Sequence, residues 1–203
     1  MRESEGRRYV LGPLAFEIGL AAAPRFNLAH ICSPWVRRIA ECTEDTAFLM
    51  VRSGYDSVCI DRQLGSFPVK VFTLDVGTRR PLGLGAGSIA MMMPLTDAEV
   101  DEIISVNGAR FKAYEGVTAK SVLKAVAEAR QRGYAVHEFR TSIGITTVSL
   151  PVNRFGAPFA AISVGAVDSR MSPDRQKHVA SVLRSEIAGL EQSMTAITPR
   201  GAQ

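Results

Sequence analysis

The residues best placed to do chemistry in this 203-residue chain lie in one short stretch, Leu82-Gly83-Leu84-Gly85-Ala86-Gly87-Ser88. Small side chains there leave backbone N–H groups unencumbered at the start of an apolar helix. First-turn amides have no intrahelical partner and the helix dipole is positive at that end, so the stretch suits an anion such as a carboxylate. The plainer reading is that the glycines let two elements pack closely. Three enzyme signatures fail on the same residues. Gly83-x-Gly85-x-x-Ser88 lacks the last glycine of a dinucleotide fingerprint, and neither a strand-helix-strand unit nor an acidic residue about 20 positions on accompanies it. A phosphate loop ends in Gly-Lys-Ser/Thr, whereas this one reads Gly87-Ser88-Ile89. There is no G-x-S-x-G nucleophile elbow to raise Ser88 as an esterase serine.

The other reactive side chains are scattered. His30, His137 and His178 fall on separate elements, with no H-E-x-x-H and no i, i+4 pair. Cys32, Cys42 and Cys59 are odd in number and lack C-x-x-C spacing, which reads as reduced thiols. No catalytic residue, metal site or cofactor is expected. The 24 basic and 20 acidic residues leave a net charge of +4. The basic residues do not cluster, Arg7-Arg8, Arg37-Arg38 and Arg79-Arg80 being isolated pairs. Direct nucleic-acid binding by these residues therefore has no electrostatic footprint. With 46% apolar and 22% charged residues the composition is that of an ordinary globular chain. The polar start lacks a signal-peptide pattern. The longest apolar run, from Ile89 to Leu95, is far too short to span a bilayer. A cytoplasmic protein with no membrane contact is expected.

The periodicity sets out the elements that would carry the glycine-rich stretch. Leu14, Ile18 and Ala21 mark a leading helix that Pro24 should interrupt. Ser33-Pro34 looks like the cap of a second helix, with Trp35, Val36, Ile39 and Ala40 packed. Strands are expected over 46–52, 57–62 and 69–74, with a turn over 77–81. Thr96-Asp97-Ala98-Glu99 is a capping box opening a helix with Val100, Ile103 and Ile104 inside. A further helix over 118–132 should bury Val122, Leu123, Val126 and Ala129 and stop at Gly133. Strands over 134–139, 145–152 and 157–167 follow, the last apolar enough to be covered on both faces. A final helix capped at Ser172-Pro173-Asp174 turns Val179, Val182, Leu183, Ile187, Leu190 and Met194 inward. Strands grouped in runs point to an α+β fold with an antiparallel sheet and flanking helices. The expected division is a leader over 1–23, one domain over 24–194 and a frayed tail over 195–203.

Several segments, in order, resemble the IclR-type transcriptional regulators. Tyr9-Val-Leu-Gly12 is similar to the Y-x-L-G that leaves the family's DNA-binding domain. Asp45-Thr46-Ala-Phe-Leu49 and Ile60-Asp61-Arg62 resemble its first two strands. Val76-Gly77-x-Arg79-x-Pro81-Leu82, followed by Gly85-Ala86-Gly87, resembles V-G-x-R-x-P-L-H-x-T-A-x-G-K-A. Arg132-Gly133-Tyr134-Ala135, Gly144-Ile145 with Pro151-Val152, and Ala161-Ile162-Ser163-Val164-Gly165 are similar to R-G-Y-A, G-I-x-x-I-A-x-P-V and A-A-L-S-V-S-G.

The resemblance implies a curved GAF- or profilin-like sheet and an effector-binding domain that forms a homodimer or homotetramer. Its effector would be a small metabolite, often a carboxylate. Carried over by position, the ligand would meet Gly85 and Ala86 at the helix start, and His137, Ile145, Thr147, Ser163 and Gly165 on the last three strands. Thr147 and Ser163 would act as hydroxyl donors. The chain departs from the pattern at Gly83 (usually His), Ser88 (usually Lys), His137 (usually acidic) and Gly165 (usually Ser). Eight residues precede Tyr9 where the family carries a winged helix-turn-helix. DNA is accordingly expected to be reached only through such a domain, missing here. The alternatives are a stand-alone GAF-like sensor acting through a protein partner and, third, a hydrolytic enzyme.

Overall fold

A computed structural model describes residues 2–4, 8–10, 12–26, 28–139 and 144–196. The chain divides into two compact units, Met1–Ile31 and Cys32–Gln203. In the first, β1 (Arg2–Ser4) and β2 (Arg8–Val10) form an antiparallel ribbon, followed by α1 (Pro13–Phe26). Pro13 suits the first helical position, where its missing N–H would be unpaired anyway. Pro24 does not interrupt α1, which runs through it to Phe26. The hydrogen bond that the proline removes falls in the last turn, where its loss matters least. Leu14 and Ile18, one turn apart, are 66% and 62% exposed.

Ser33-Pro34 does not open a new helix either, because α2 (Leu28–Thr43) begins earlier and holds Pro34 inside. Val36, Ile39 and Ala40 are fully buried, as their spacing requires. The Trp35 ring lies so close to Gly189 that a Cβ there would sit 2.5 Å from Cζ3.

The rest of the second unit is β3 (Thr46–Ser53), β4 (Asp56–Gln63), β5 (Arg79–Pro81), α3 (Gly85–Met92), α4 (Asp97–Phe111), α5 (Ala119–Arg132), β6 (Ala135–Phe139), β7 (Ile145–Arg154), β8 (Ala157–Val167), a 3-10 turn (Asp168–Arg170) and α6 (Pro173–Ala196). Its six strands form one curled antiparallel sheet in the order β5-β4-β3-β8-β7-β6. Register shifts at Leu49/Met50 and at Val152/Asn153 add local twist to strands that are otherwise regularly paired. Alternation splits the sheet's faces. Phe48, Met50, Ala135 and Ala161 pack with α3, α4 and α5 in one core. Leu49, Val148, Ile162 and Val164 are buried on the other face, where α6 packs on β7 and β8. β8 is buried continuously from Ala160 to Ala166, so both of its faces are covered.

The expected strand over 69–74 does not form. β4 pairs instead with the short β5, where a turn was anticipated. Along 64–78 side chains take over the work of a ladder. The Val71 amide donates to Thr46 Oγ1, Arg62 Nη1 donates to the Leu74 carbonyl, and the Lys70 ammonium donates to the Gly65 and Phe67 carbonyls. Only Val71 is buried, while Val69 and Phe72 stay 49% and 58% exposed. The capping box at Thr96 and Glu99 forms in full, and a second at Thr118 and Ser121 opens α5. Gly133 ends α5 in the left-handed region at φ 81°, its amide donating to the Ala129 carbonyl. Leu123 points outward at 43% exposed, and the inner row is Val122, Val126 and Ala129. On α6 Val182 is half-buried, whereas Val179, Leu183, Ile187, Leu190 and Met194 are buried.

Candidate functional site

The glycine-rich stretch forms the start of α3, and no side chain caps it, since Leu84 stands in the N-cap position in extended conformation. The first-turn amides of Gly85, Ala86 and Gly87 therefore have neither an intrahelical acceptor nor a capping oxygen. Gly85 sits at φ 78° and Gly83 at φ 109°, both in the region that favours glycine. A Cβ on Gly83 would also fall 2.8 Å from Phe111 Cζ. The Gly83 amide donates to the buried Ser88 Oγ at 2.6 Å. Two of the positions that depart from the family pattern thus touch each other and close the turn together.

Beneath this helix start lies a small inner chamber of about 30 Å³, walled by Met50, Leu74, Arg80, Ala86, Thr147 and Ser163 among others. A water needs about 10–15 Å³ by the same measure, so the chamber holds a group of two or three heavy atoms. Among its described lining residues Arg80 carries the only charge. Thr147 is 7% exposed, and its hydroxyl has no hydrogen-bond partner among the described residues. Ser163 differs. Ser149 Oγ donates to the Ile162 carbonyl at 3.0 Å, and Ser163 Oγ donates to Ser149 Oγ at 2.9 Å. The proton of Ser163 is committed away from the chamber, so toward a guest Ser163 offers lone pairs rather than the donor anticipated from sequence.

A larger outer chamber of about 870 Å³ shares Arg80, Leu84 and Gly85 with the inner one and is bordered by Tyr114, Glu115, His137 and Glu138. Arg80, half-buried at this junction, donates from Nη2 to the Thr73 carbonyl at 3.1 Å. Burial and, second, the Arg80 guanidinium push the His137 pKa below its ordinary 6.5, with Glu138 opposing. The imidazole is thereby neutral at neutral pH.

The sheet register brings several of the sequence-derived residues into one row, with His137 opposite Thr147, Thr147 opposite Gly165, and Gly165 opposite Thr46. Gly85, Ala86, Thr147 and Ser163 line the inner chamber, and His137 lines the outer one together with Gly85. Ile145 and Gly165 line neither. Ile145 packs on the core. A Cβ on Gly165 would come 3.3 Å from Val71 Cγ1 and 3.4 Å from Thr147 Oγ1, so its missing side chain makes room for Val71. Arg80 escaped the sequence reading because Arg79-Arg80 looks like a surface pair. The signal was alternation along β5, where Arg79 pairs outward with Asp56 while Arg80 lies opposite Ser57.

Chemistry elsewhere is sparse. No group of three or more metal-ligating side chains occurs among the described residues. Burial pushes the Cys32 and Cys59 thiols up to about 11, far from reactive thiolates. The buried Asp45 is held by Arg170 and Arg175 as a structural ion cluster. No described helix is long and apolar enough to cross a membrane.

Comparison with known proteins gives a consistent outcome. Residues 20–188 match the family described as bacterial transcriptional regulator IclR, C-terminal. The HTH-type transcriptional repressor AllR of Escherichia coli strain K12 is 26% identical over 167 residues, covering 81% of this chain. AllR of Klebsiella pneumoniae is 28% identical over the same length. The chain spans 61% of the length of these curated relatives. In fold it is similar to the Thermotoga maritima IclR structure, with TM-score 0.77 and 23% identity over 94% of this chain and 78% of that one. It is also similar to an IclR homologue from Microbacterium hydrocarbonoxydans complexed with 4-hydroxybenzoate, with TM-score 0.71 and 17% identity over 96% of this chain and 79% of that one. The AllR relatives are named as transcriptional repressors. With the family match running through both the glycine-rich helix start and the strands that face it, this chain belongs to the IclR C-terminal family of bacterial transcriptional regulators.

Proposed function

We propose that Cys32–Gln203 is a sensor of a small carboxylate which, within a longer regulator, tunes DNA binding by a helix-turn-helix domain. The observation that carries this reading is the inner chamber, whose single charged lining residue among the described ones is a cation and which also presents uncapped amides and a Thr147 hydroxyl with no partner among the described residues. A carboxylate there gains charge-assisted hydrogen bonds, each contributing roughly 1.5–3 kcal/mol. The 4-hydroxybenzoate bound by the Microbacterium homologue is itself a carboxylate, which supports the class. The protein acts in the cytoplasm as a homodimer or homotetramer, and the effector is bound without being transformed. Ligand titration by calorimetry and thermal shift tests the reading, using short aliphatic and aromatic acids beside their methyl esters. An acid present at 100 times its Kd should stabilise the chain by about 2.7 kcal/mol, with its ester inactive. A panel in which no acid shifts the melt, or in which esters act equally well, sinks it.

A further inference from the structure

The two chambers differ in charge as well as in size. The inner one, at about 30 Å³, accepts a head of two or three heavy atoms and, among the described residues, has Arg80 as its only charged lining. The outer one, at about 870 Å³, accepts the rest of a molecule and is bordered by Glu115, Glu138 and the Tyr114 ring as well as by Arg80 and a neutral His137. Arg80 stands where the chambers meet. It comes from the edge strand β5, and its Nη2 bond to the Thr73 carbonyl holds the guanidinium in place while leaving further N–H donors for a ligand. An anion near Arg80 is attracted and a second anion near Glu115 and Glu138 is repelled, whereas a hydroxyl or ammonium group finds acceptors among them.

Resting on the carboxylate reading above, we propose that Arg80 is the specificity-determining residue of the site. It selects monocarboxylates that carry a hydrogen-bond donor at the far end, binding them carboxylate-inward and donor-outward, and the acids of the outer chamber exclude dicarboxylates. Nothing in the glycine-rich stretch supplies this selectivity, because its amides would accept any anionic head.

The test is calorimetric titration of the whole chain with four acids of one length: pentanoate, 5-hydroxypentanoate, 5-aminopentanoate and glutarate. The two donor-tipped acids are expected to bind tightest and glutarate weakest. Arg80→Gln keeps a polar side chain but removes the charge and shortens the reach, and it should weaken both donor-tipped acids by roughly ten- to a hundredfold, the loss of one charge-assisted bond. Arg80→Lys keeps the charge and should fall between. Glu115→Gln should narrow the gap between 5-aminopentanoate and glutarate. Glutarate or pentanoate binding tightest, or Arg80→Gln and Arg80→Lys both binding within roughly twofold of the original chain, overturns the role of Arg80 and leaves the carboxylate reading standing. Failure of all four acids to bind the original chain overturns that reading and this inference with it.

Discussion

Gly87 has space on neither side for a methyl group. A Cβ there would stand 3.0 Å from both Met50 Cγ and Ser163 Oγ, two walls of the inner chamber. Gly87→Ala is therefore expected to lower carboxylate affinity at least tenfold while the fold persists, because alanine recovers up to about 1 kcal/mol of helix propensity against the crowding. Calorimetry beside a thermal melt checks both halves, and unchanged affinity would move the site elsewhere. Gly85→Val is a poorer probe. At φ 78° any side chain strains the backbone by roughly 1–2 kcal/mol, which mixes fold with function. Thr147→Val keeps shape and loses the unpaired hydroxyl, so affinity should fall about tenfold. Ser163→Ala should cost the ligand less, since that proton already serves Ser149.

His137 gives a pH signature. Its pKa lies below 6.5 in the folded chain, through burial first and Arg80 second. The unfolded chain then binds more protons, so this contribution to stability is full above about pH 6.5 and is lost as pH falls through the lowered value. Melting temperatures of the original chain and His137→Gln, followed downward from neutral pH, should converge. Parallel curves would refute the assignment. The type and place of His137 were readable from sequence, but its neutrality was not. That rests first on burial and second on Arg80, both of which only the assembled fold supplies.

Among the elements, those with local signatures were legible and those held by distant side chains were not. Thr96 and Glu99 satisfy each other's backbone partners within four residues, so the start of α4 could be read directly. Thr96→Ala should cost about 1 kcal/mol in denaturant unfolding, and a change within error would deny the box its role. Thr147 and Ser163 were reached through the family resemblance alone, since β7 and β8 are buried almost continuously and offer no alternation to pick a face. The segment 64–78 misled because its apolar residues alternate like a strand. Its backbone is instead held by the Thr46, Arg62 and Arg80 side chains, by backbone bonds to Glu44, Asp45 and Cys59, and by Lys70 within the segment itself, a pattern that alternation does not report. The prolines misled for a related reason. A missing N–H is tolerated in α1 and α2 where the remaining turns carry the helix.

At the scale of the molecule, Leu14 and Ile18 of α1 present an apolar stripe to solvent. The proposed self-association would cover it. Leu14→Lys with Ile18→Lys is expected to shift the chain toward monomer in light scattering, and an unchanged mass would place the interface elsewhere.

Thr73 and Leu74 wall the inner chamber, and the segment they belong to is tied down by Arg62 and Arg80. A ligand head passing from the outer chamber into this space of about 30 Å³ meets Arg80, which is bonded to the Thr73 carbonyl, and that tie is expected to gate its entry. Association should then be gated, slower than an open cleft would permit, and departure must wait for the same ties to break. Loosening them with Arg62→Ala should speed both steps in stopped-flow mixing with little change in their ratio. The residence time of the effector, and so how long a regulator remembers a passing metabolite, would be set by a segment that never touches DNA.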